Sequence, residues 1–101
     1  WGYWEVITQG EGYKVKTLEV KPMSKLSMQK HNSRDEHWVV LKGIATIYDN
    51  EKNKKLLYEN ESIDISKNHW HQLCNLTDET LKVIEISTGD YIEEDDIERA
   101  E

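Results

Sequence analysis

The chain has 101 residues, 37% hydrophobic and 33% charged, with a formal net charge of -7. That length allows one core burying roughly two-thirds of the unfolded surface, and the single Cys74 excludes an internal disulfide and suits a reducing, cytoplasmic compartment. The acidic balance, concentrated in Glu93, Glu94, Asp95, Asp96, Glu98 and Glu101, argues against a nucleic-acid partner, and no apolar run approaches the roughly 20 residues of a membrane span.

The dominant period along the chain is two. Trp4 to Ile7 predicts a short strand, and Gly10-Glu11-Gly12 a turn. Tyr13 to Lys21 alternates polar and apolar residues, with a phase slip near Thr17-Leu18 that predicts a bulge. Pro22 ends that strand because it has no N–H to donate. Leu26 to His31 alternates again and places Ser27, Gln29 and His31 on one face. Glu36 to Lys42 is a strong strand, turned by Gly43 into Ile44 to Tyr48, and Asp49 to Lys55 is a polar hairpin loop. Further strands are expected at Leu56 to Tyr58, Ser62 to Ile65, His71 to Leu73 and Leu81 to Ser87. Only the acidic tail, Glu93 to Glu101, is left as irregular or a short helix. Many short strands separated by turns predict an antiparallel sandwich, jelly roll or closed barrel. The residues read as one domain over 1–101, and the opening at Trp1 is compatible with a piece of a longer chain.

The four histidines fall in two clusters, His31 with His37 and His69 with His71. In an extended strand Gln29 and His31 point the same way, and a turn through Asn32 to Asp35 brings Glu36 back beside them. His71 adds an imidazole from a distant strand. An amide oxygen, two imidazoles and a carboxylate form a mixed N/O donor set suited to Zn²⁺, Mn²⁺, Fe²⁺, Co²⁺ or Ni²⁺. By spacing alone, His31 and His71 read equally well as hydrogen-bonded interior histidines, and Gln29 as an ordinary strand residue. Trp38, in phase with Glu36 and Val40, is expected inside, and Cys74 as a small buried hydrophobe.

The string Leu26-Ser27-Met28-Gln29-Lys30-His31, with Arg34, Glu36-His37-Trp38 and Gly43, resembles the first cupin motif, His-x-His-x-x-x-x-Glu before a Gly. Gln29 stands at the first His, His31 at the second and Glu36 at the Glu. Ser62 to Asn75 resembles the second motif, with His71 as its ligand. Gln at the first position is similar to one subgroup, the type II mannose-6-phosphate isomerase domain, often found at the C-terminus of bifunctional mannose-1-phosphate guanylyltransferases. Trp1-Gly2-x-Trp4, Tyr13 to Lys16 and Gly89-Asp90-Tyr91 resemble that subgroup's ends, so the likeness covers the whole chain. Asn32 and Ser33 replace further histidines usual there, and Ser66 and Asn68 replace a Pro and a Gly.

The resemblance implies a cupin-type double-stranded β-helix, a jelly-roll barrel. It also implies one divalent ion on Gln29, His31, Glu36 and His71, zinc ahead of manganese, cobalt, iron or nickel. The implied activity converts mannose 6-phosphate to fructose 6-phosphate through an enediol. Arg34, with its planar fork, is the expected phosphate or oxyanion contact. Lys30 and Trp70 are secondary substrate contacts, and Asp35 and His37 are candidates for the base. A homodimer is expected, with no nucleic acid or membrane as partner. A metal-dependent oxygenase and a non-catalytic metal- or sugar-binding module are the alternatives.

Overall fold

The computed structural model describes residues 1–100, which form strands and turns with no helix. In chain order the strands are β1 (Gly2–Gly10), β2 (Tyr13–Val20), β3 (Ser24–Lys25), β4 (Gln29–Lys30), β5 (Arg34–Lys42) and β6 (Ala45–Tyr48). They continue as β7 (Lys54–Leu57), β8 (Ser62–Ile65), β9 (Gln72–Asn75), β10 (Leu81–Gly89) and β11 (Glu98–Arg99). One sheet runs β1-β2-β10-β5-β8 and a second β3-β9-β6-β7, while β11 pairs with β4. A bridge between Gln29 and His71 carries that last pair onto the second sheet. Every pairing is antiparallel, so each strand offers alternate residues to the interior between the sheets.

Register explains how the interior is divided. Across β2, β10 and β5, Leu18, Val83 and Val40 form one inward rung. The next is Lys16, Glu85 and Trp38, and the one after it Lys14, Ser87 and Glu36. All nine of these residues are buried. One end of the interior is therefore apolar, filled by Val20, Leu57, Leu73 and Leu81 as well, each at most 2% exposed. Burying each such side chain contributes about 1.5–3 kcal/mol. Buried Asn75 ties the connections at this end: its amide donates to the carbonyls of Val20, Lys21 and Glu79, and its oxygen accepts from Thr77. The other end of the interior is polar.

Two local expectations are corrected and a third is narrowed. The register of β2 against β10 is unbroken from Val20 to Tyr13, so no bulge lies at Thr17-Leu18. The apparent slip arises because Lys14 and Lys16, rather than Val15, face inward; the bulge is in β1, between Val6 and Thr8. The expected strand from Leu26 to His31 is reduced to β4: residues 26–28, between β3 and β4, are irregular, and there the Leu26 N–H donates to the Leu73 carbonyl at 3.0 Å. Of the two forms expected for the acidic tail, the irregular one holds for residues 93–97 and the helical one does not. On a helix Glu93 and Asp96, three apart, and Glu94 and Glu98, four apart, would be like-charge neighbours, and here Glu94 is partnered by Lys16 and Asp96 by the amides of Asn32 and Ser33. The segment ends as β11, registered Glu98 to Lys30 and Arg99 to Gln29. Among the described residues no helix is long and apolar enough to cross a membrane.

Candidate metal centre

At the polar end, His31 follows β4, Glu36 lies on β5 and His71 precedes β9. Reciprocal backbone hydrogen bonds of 2.9 Å between Gln29 and His71 hold the two histidine-bearing segments together. One donor atom from each of His31, Glu36 and His71 lies within 4.8 Å of the others. His31 Nε2 is 3.4 Å from Glu36 Oε2, and His71 Nε2 is 3.5 Å from Glu36 Oε1. The side chains are 3%, 2% and 5% exposed for His31, Glu36 and His71.

Backbone carbonyls set both tautomers. His31 Nδ1 is 2.6 Å from the Asp96 carbonyl, and His71 Nδ1 is 3.0 Å from the His69 carbonyl. A carbonyl only accepts, so each Nδ1 carries the proton and each Nε2 turns a lone pair toward Glu36. Burial holds both imidazoles neutral: His31 lies below its ordinary value, and His71 is lowered to about 4. Burial also raises the Glu36 carboxyl, while Arg34 and Lys16 pull it back down. Two inward lone pairs and a carboxylate are the donor chemistry of a divalent cation site. Glu36 Oε1 is buried with no hydrogen-bond partner, which leaves it free for an ion. The residues present therefore fit the metal.

Arg34 joins this trio to an adjoining cavity of ≈ 370 Å³. Its Nε donates to Glu36 Oε2 at 3.0 Å, and its Nη2 lies 3.2 Å from His31 Nε2. Lys16, Glu85, Gln29, Glu94 and Trp4 also line the cavity. Lys16 Nζ is 3.7 Å from Glu85 Oε2, sits over the Trp4 ring at 4.5 Å and is hydrogen-bonded to Glu94. Burial, then the charge of Glu36, pushes Glu85 up to about 7. Such a group binds more protons folded than unfolded between pH 4.5 and 7, so its contribution to stability falls as pH rises through that window. Glu85→Gln should therefore gain on the parent by on the order of 2 kcal/mol from pH 4.5 to 7. Denaturant titrations of both proteins across that range check this; parallel pH profiles would refute it.

The structure places His31, Glu36, His71 and Arg34 beside one another. Gln29 is paired with His71 through its backbone and lines the cavity, and its amide nitrogen faces Ser27 at 3.3–3.4 Å. Trp38 is buried, its ring edge-on to His71 at 5.3 Å. Four other residues are not brought to the trio. Strand alternation turns Asp35 and His37 to the outer face, where Asp35 accepts the Lys67 N–H and His37 pairs with Asp64. Lys30 points away from the cavity, its Nζ 3.5 Å from Glu98 and 5.1 Å above the Trp70 ring. Lys30 and Trp70 thus pack on each other outside this cavity, while Trp70 shares the wall of a second cavity, of ≈ 410 Å³, with His71. The pattern missed Lys14, Lys16, Glu85 and Ser87. Inward lysines on an alternating strand look like its solvent face, and the only available signal was the broken hydrophobic phase of β2.

The family model for the mannose-6-phosphate isomerase C-terminal region matches residues 1–101. Mannose-1-phosphate guanylyltransferase 2 of Escherichia coli O157:H7 is 46% identical over 99 residues, 98% of this chain and 20% of that protein. The alginate biosynthesis protein AlgA of Pseudomonas aeruginosa is 41% identical over 101 residues, 100% of this chain and 21% of that one. The chain thus spans about a fifth of the length of these relatives. Among solved structures, a Klebsiella pneumoniae protein with a double-stranded β-helix domain superposes with TM-score 0.87 at 14% identity, covering 99% of this chain and 84% of that one. A cupin-superfamily sugar phosphate isomerase from Silicibacter pomeroyi gives TM-score 0.69 at 19% identity over 76% of this chain and 50% of its own. The barrel is a cupin fold, and the chain belongs to the family of mannose-6-phosphate isomerase C-terminal domains.

Proposed function

We propose that this chain is a single cupin domain that isomerises mannose 6-phosphate and fructose 6-phosphate with one divalent ion, zinc first among the candidates. The observation that carries the reading is the buried His31–Glu36–His71 trio, with its unpartnered Glu36 oxygen, beside a cavity lined by cations. The family match and the sugar phosphate isomerase named among the structural neighbours support the substrate class. A cytoplasmic enzyme is the proposed setting, in keeping with relatives named as a guanylyltransferase and an alginate biosynthesis protein. The free edge and exposed faces of β1, where Tyr3, Trp4 and Ile7 are 46–56% exposed, fit pairing with a second copy as a homodimer.

Aldose–ketose isomerisation removes a proton from the carbon beside the carbonyl and returns one to the former carbonyl carbon through an enediol. A bound divalent ion would supply electrophilic polarisation of the sugar carbonyl. His31, Glu36 and His71 would hold it, and Gln29, on the cavity wall beside His71, is the proposed fourth donor. Arg34 fixes the Glu36 carboxylate through Nε, and its guanidinium borders the cavity within reach of a sugar oxygen. Glu85 takes and returns the proton in this scheme: it is buried on the cavity wall, and a carboxyl raised to about 7 accepts and releases protons near neutral pH. Asp35 and His37, facing outward, leave that role.

A coupled assay with mannose 6-phosphate, after metal loading and again with chelator, tests the reading. Turnover lost with the chelator and restored by metal is expected; no turnover at any loading overturns it. Sugar binding without turnover would identify a binding module, and metal-dependent oxygen consumption an oxygenase.

A further inference from the structure

We propose that Lys14 and Lys16 form the seat for the phosphate of a phosphate monoester, and that Glu94 fills this seat as a carboxylate stand-in until the ligand displaces it. The inference rests on the isomerase reading for its substrate, although the seat itself is argued from geometry. Lys14 and Lys16 occupy successive inward positions of β2 and are 7% and 4% exposed. Buried ammonium groups need an anion, because desolvation without a partner costs several kcal/mol. The anion both lysines share is Glu94, hydrogen-bonded to Lys16 and 3.9 Å from Lys14. For Lys14 it is the single ion-pair partner among the described residues.

The stand-in is loosely held. The Glu94 side chain is 47% exposed and sits on an irregular segment between β10 and β11. Burial pushes its carboxyl up, but the Lys16 ammonium outweighs this and keeps it below the usual carboxylate range, so it is anionic at neutral pH. With Glu94 swung out, the cations Lys14, Lys16 and Arg34 face, among the described residues, only the carboxyls Glu36 and Glu85. Such a surplus of positive charge suits a dianion. A further donor waits on the same rung: Ser87 pairs with Lys14 in register, is 1% exposed, and its hydroxyl has no hydrogen-bond partner. Along that rung, Lys14 on β2 lies two strand spacings, about 10 Å, from Glu36 on β5. That backbone spacing is of the order of an extended hexose phosphate, and the proposed pose has the phosphate at the lysines and the sugar running along the cavity wall of Lys16, Glu85 and Arg34 toward the trio. Arg34, engaged by Glu36 and His31, is thereby relieved of anchoring the phosphate.

Inorganic phosphate is the probe, titrated by NMR into the metal-loaded parent, Glu94→Gln and Lys14→Gln, with mannose 6-phosphate kinetics run in parallel. Because the Glu94 side chain is half exposed, Glu94→Gln preserves the interior and is informative even if Lys14→Gln folds poorly. Glu94→Gln should bind phosphate about tenfold more tightly, since its competitor is gone, and Lys14→Gln about tenfold more weakly. In kinetics Lys14→Gln should raise KM for mannose 6-phosphate more than it lowers kcat. A tail that merely straps the barrel would give Glu94→Gln an unchanged or weaker phosphate affinity, and that result overturns the seat. If phosphate affinity follows the variants while no metal loading gives turnover, the seat stands and the isomerase reading falls. If turnover is present and phosphate affinity is unmoved, the seat falls alone.

Discussion

Replacing His71 by alanine should empty the metal centre, with the metal-to-protein ratio falling from about one to near zero. Removing a group that only orients a ligand costs about 10–100-fold in metal affinity, so losing an imidazole that faces the ion should exceed the upper figure. Glu36 Oε1, 3.5 Å from His71 Nε2 and otherwise unpartnered, would then face a void. His69→Ala is the matched control. His69 is exposed and serves His71 through its backbone carbonyl, which alanine retains, so metal content should stay at the parent level. Thermal unfolding gives a second readout. An ion at a hundred times its Kd stabilises the parent by about 2.7 kcal/mol and should leave His71→Ala unmoved. Full metal content in His71→Ala would move the centre elsewhere.

Gly89→Ala should be the most damaging of the single-methyl additions near the site. Gly89 closes β10 opposite Arg34 at φ +154°, and a Cβ there would lie 2.3 Å from the Ser33 carbonyl oxygen and 3.0 Å from Arg34 Cα. Both contacts are backbone, so no side chain can swing aside; β5 must shift at its first residue, two positions before Glu36. A cost of about 3 kcal/mol, or roughly 10–20 °C in Tm, is expected from overpacking combined with backbone strain. Metal affinity should fall with it, because the start of β5 aims Glu36. Gly12→Ala separates strain from collision: at φ +79° its nearest neighbour is 3.8 Å away, so only about 1 kcal/mol should be lost. Calorimetry on both variants checks the ranking, and equal losses would contradict it.

How far the sequence carried depended on whether a residue obeyed the two-residue alternation. Glu36, Trp38 and Val40 alternate with outward neighbours on a strongly apolar strand, so their common inward face was legible, whereas spacing alone left His31 and His71 open and only the family resemblance paired them. The tryptophan against His71 follows from the same phase. Lys14 and Lys16 obey the alternation too, but with the charged residues inside, and a hydrophobic pattern then assigns the wrong face. That inversion is tolerable because Glu85 and Glu94 neutralise the lysines from β10 and from the tail. The tail itself was opaque for a different reason. A two-residue strand carries no periodicity, and its position is set by side-chain and carbonyl contacts reaching more than sixty residues back along the chain.

Those contacts have a consequence for how the protein is made. The Asp96 carbonyl holds the His31 tautomer, the Asp96 carboxylate receives the amides of Asn32 and Ser33, and Glu93 offers its carbonyl to Arg34. His31, Glu36 and His71 are all synthesised before residues 93–96. A nascent chain therefore carries the donor residues of its centre while one imidazole is still free to rotate and to choose either nitrogen. One acidic segment late in the chain thus completes the candidate site: until its contacts form, the three donors are present but His31 is not held in the tautomer that turns its Nε2 toward Glu36.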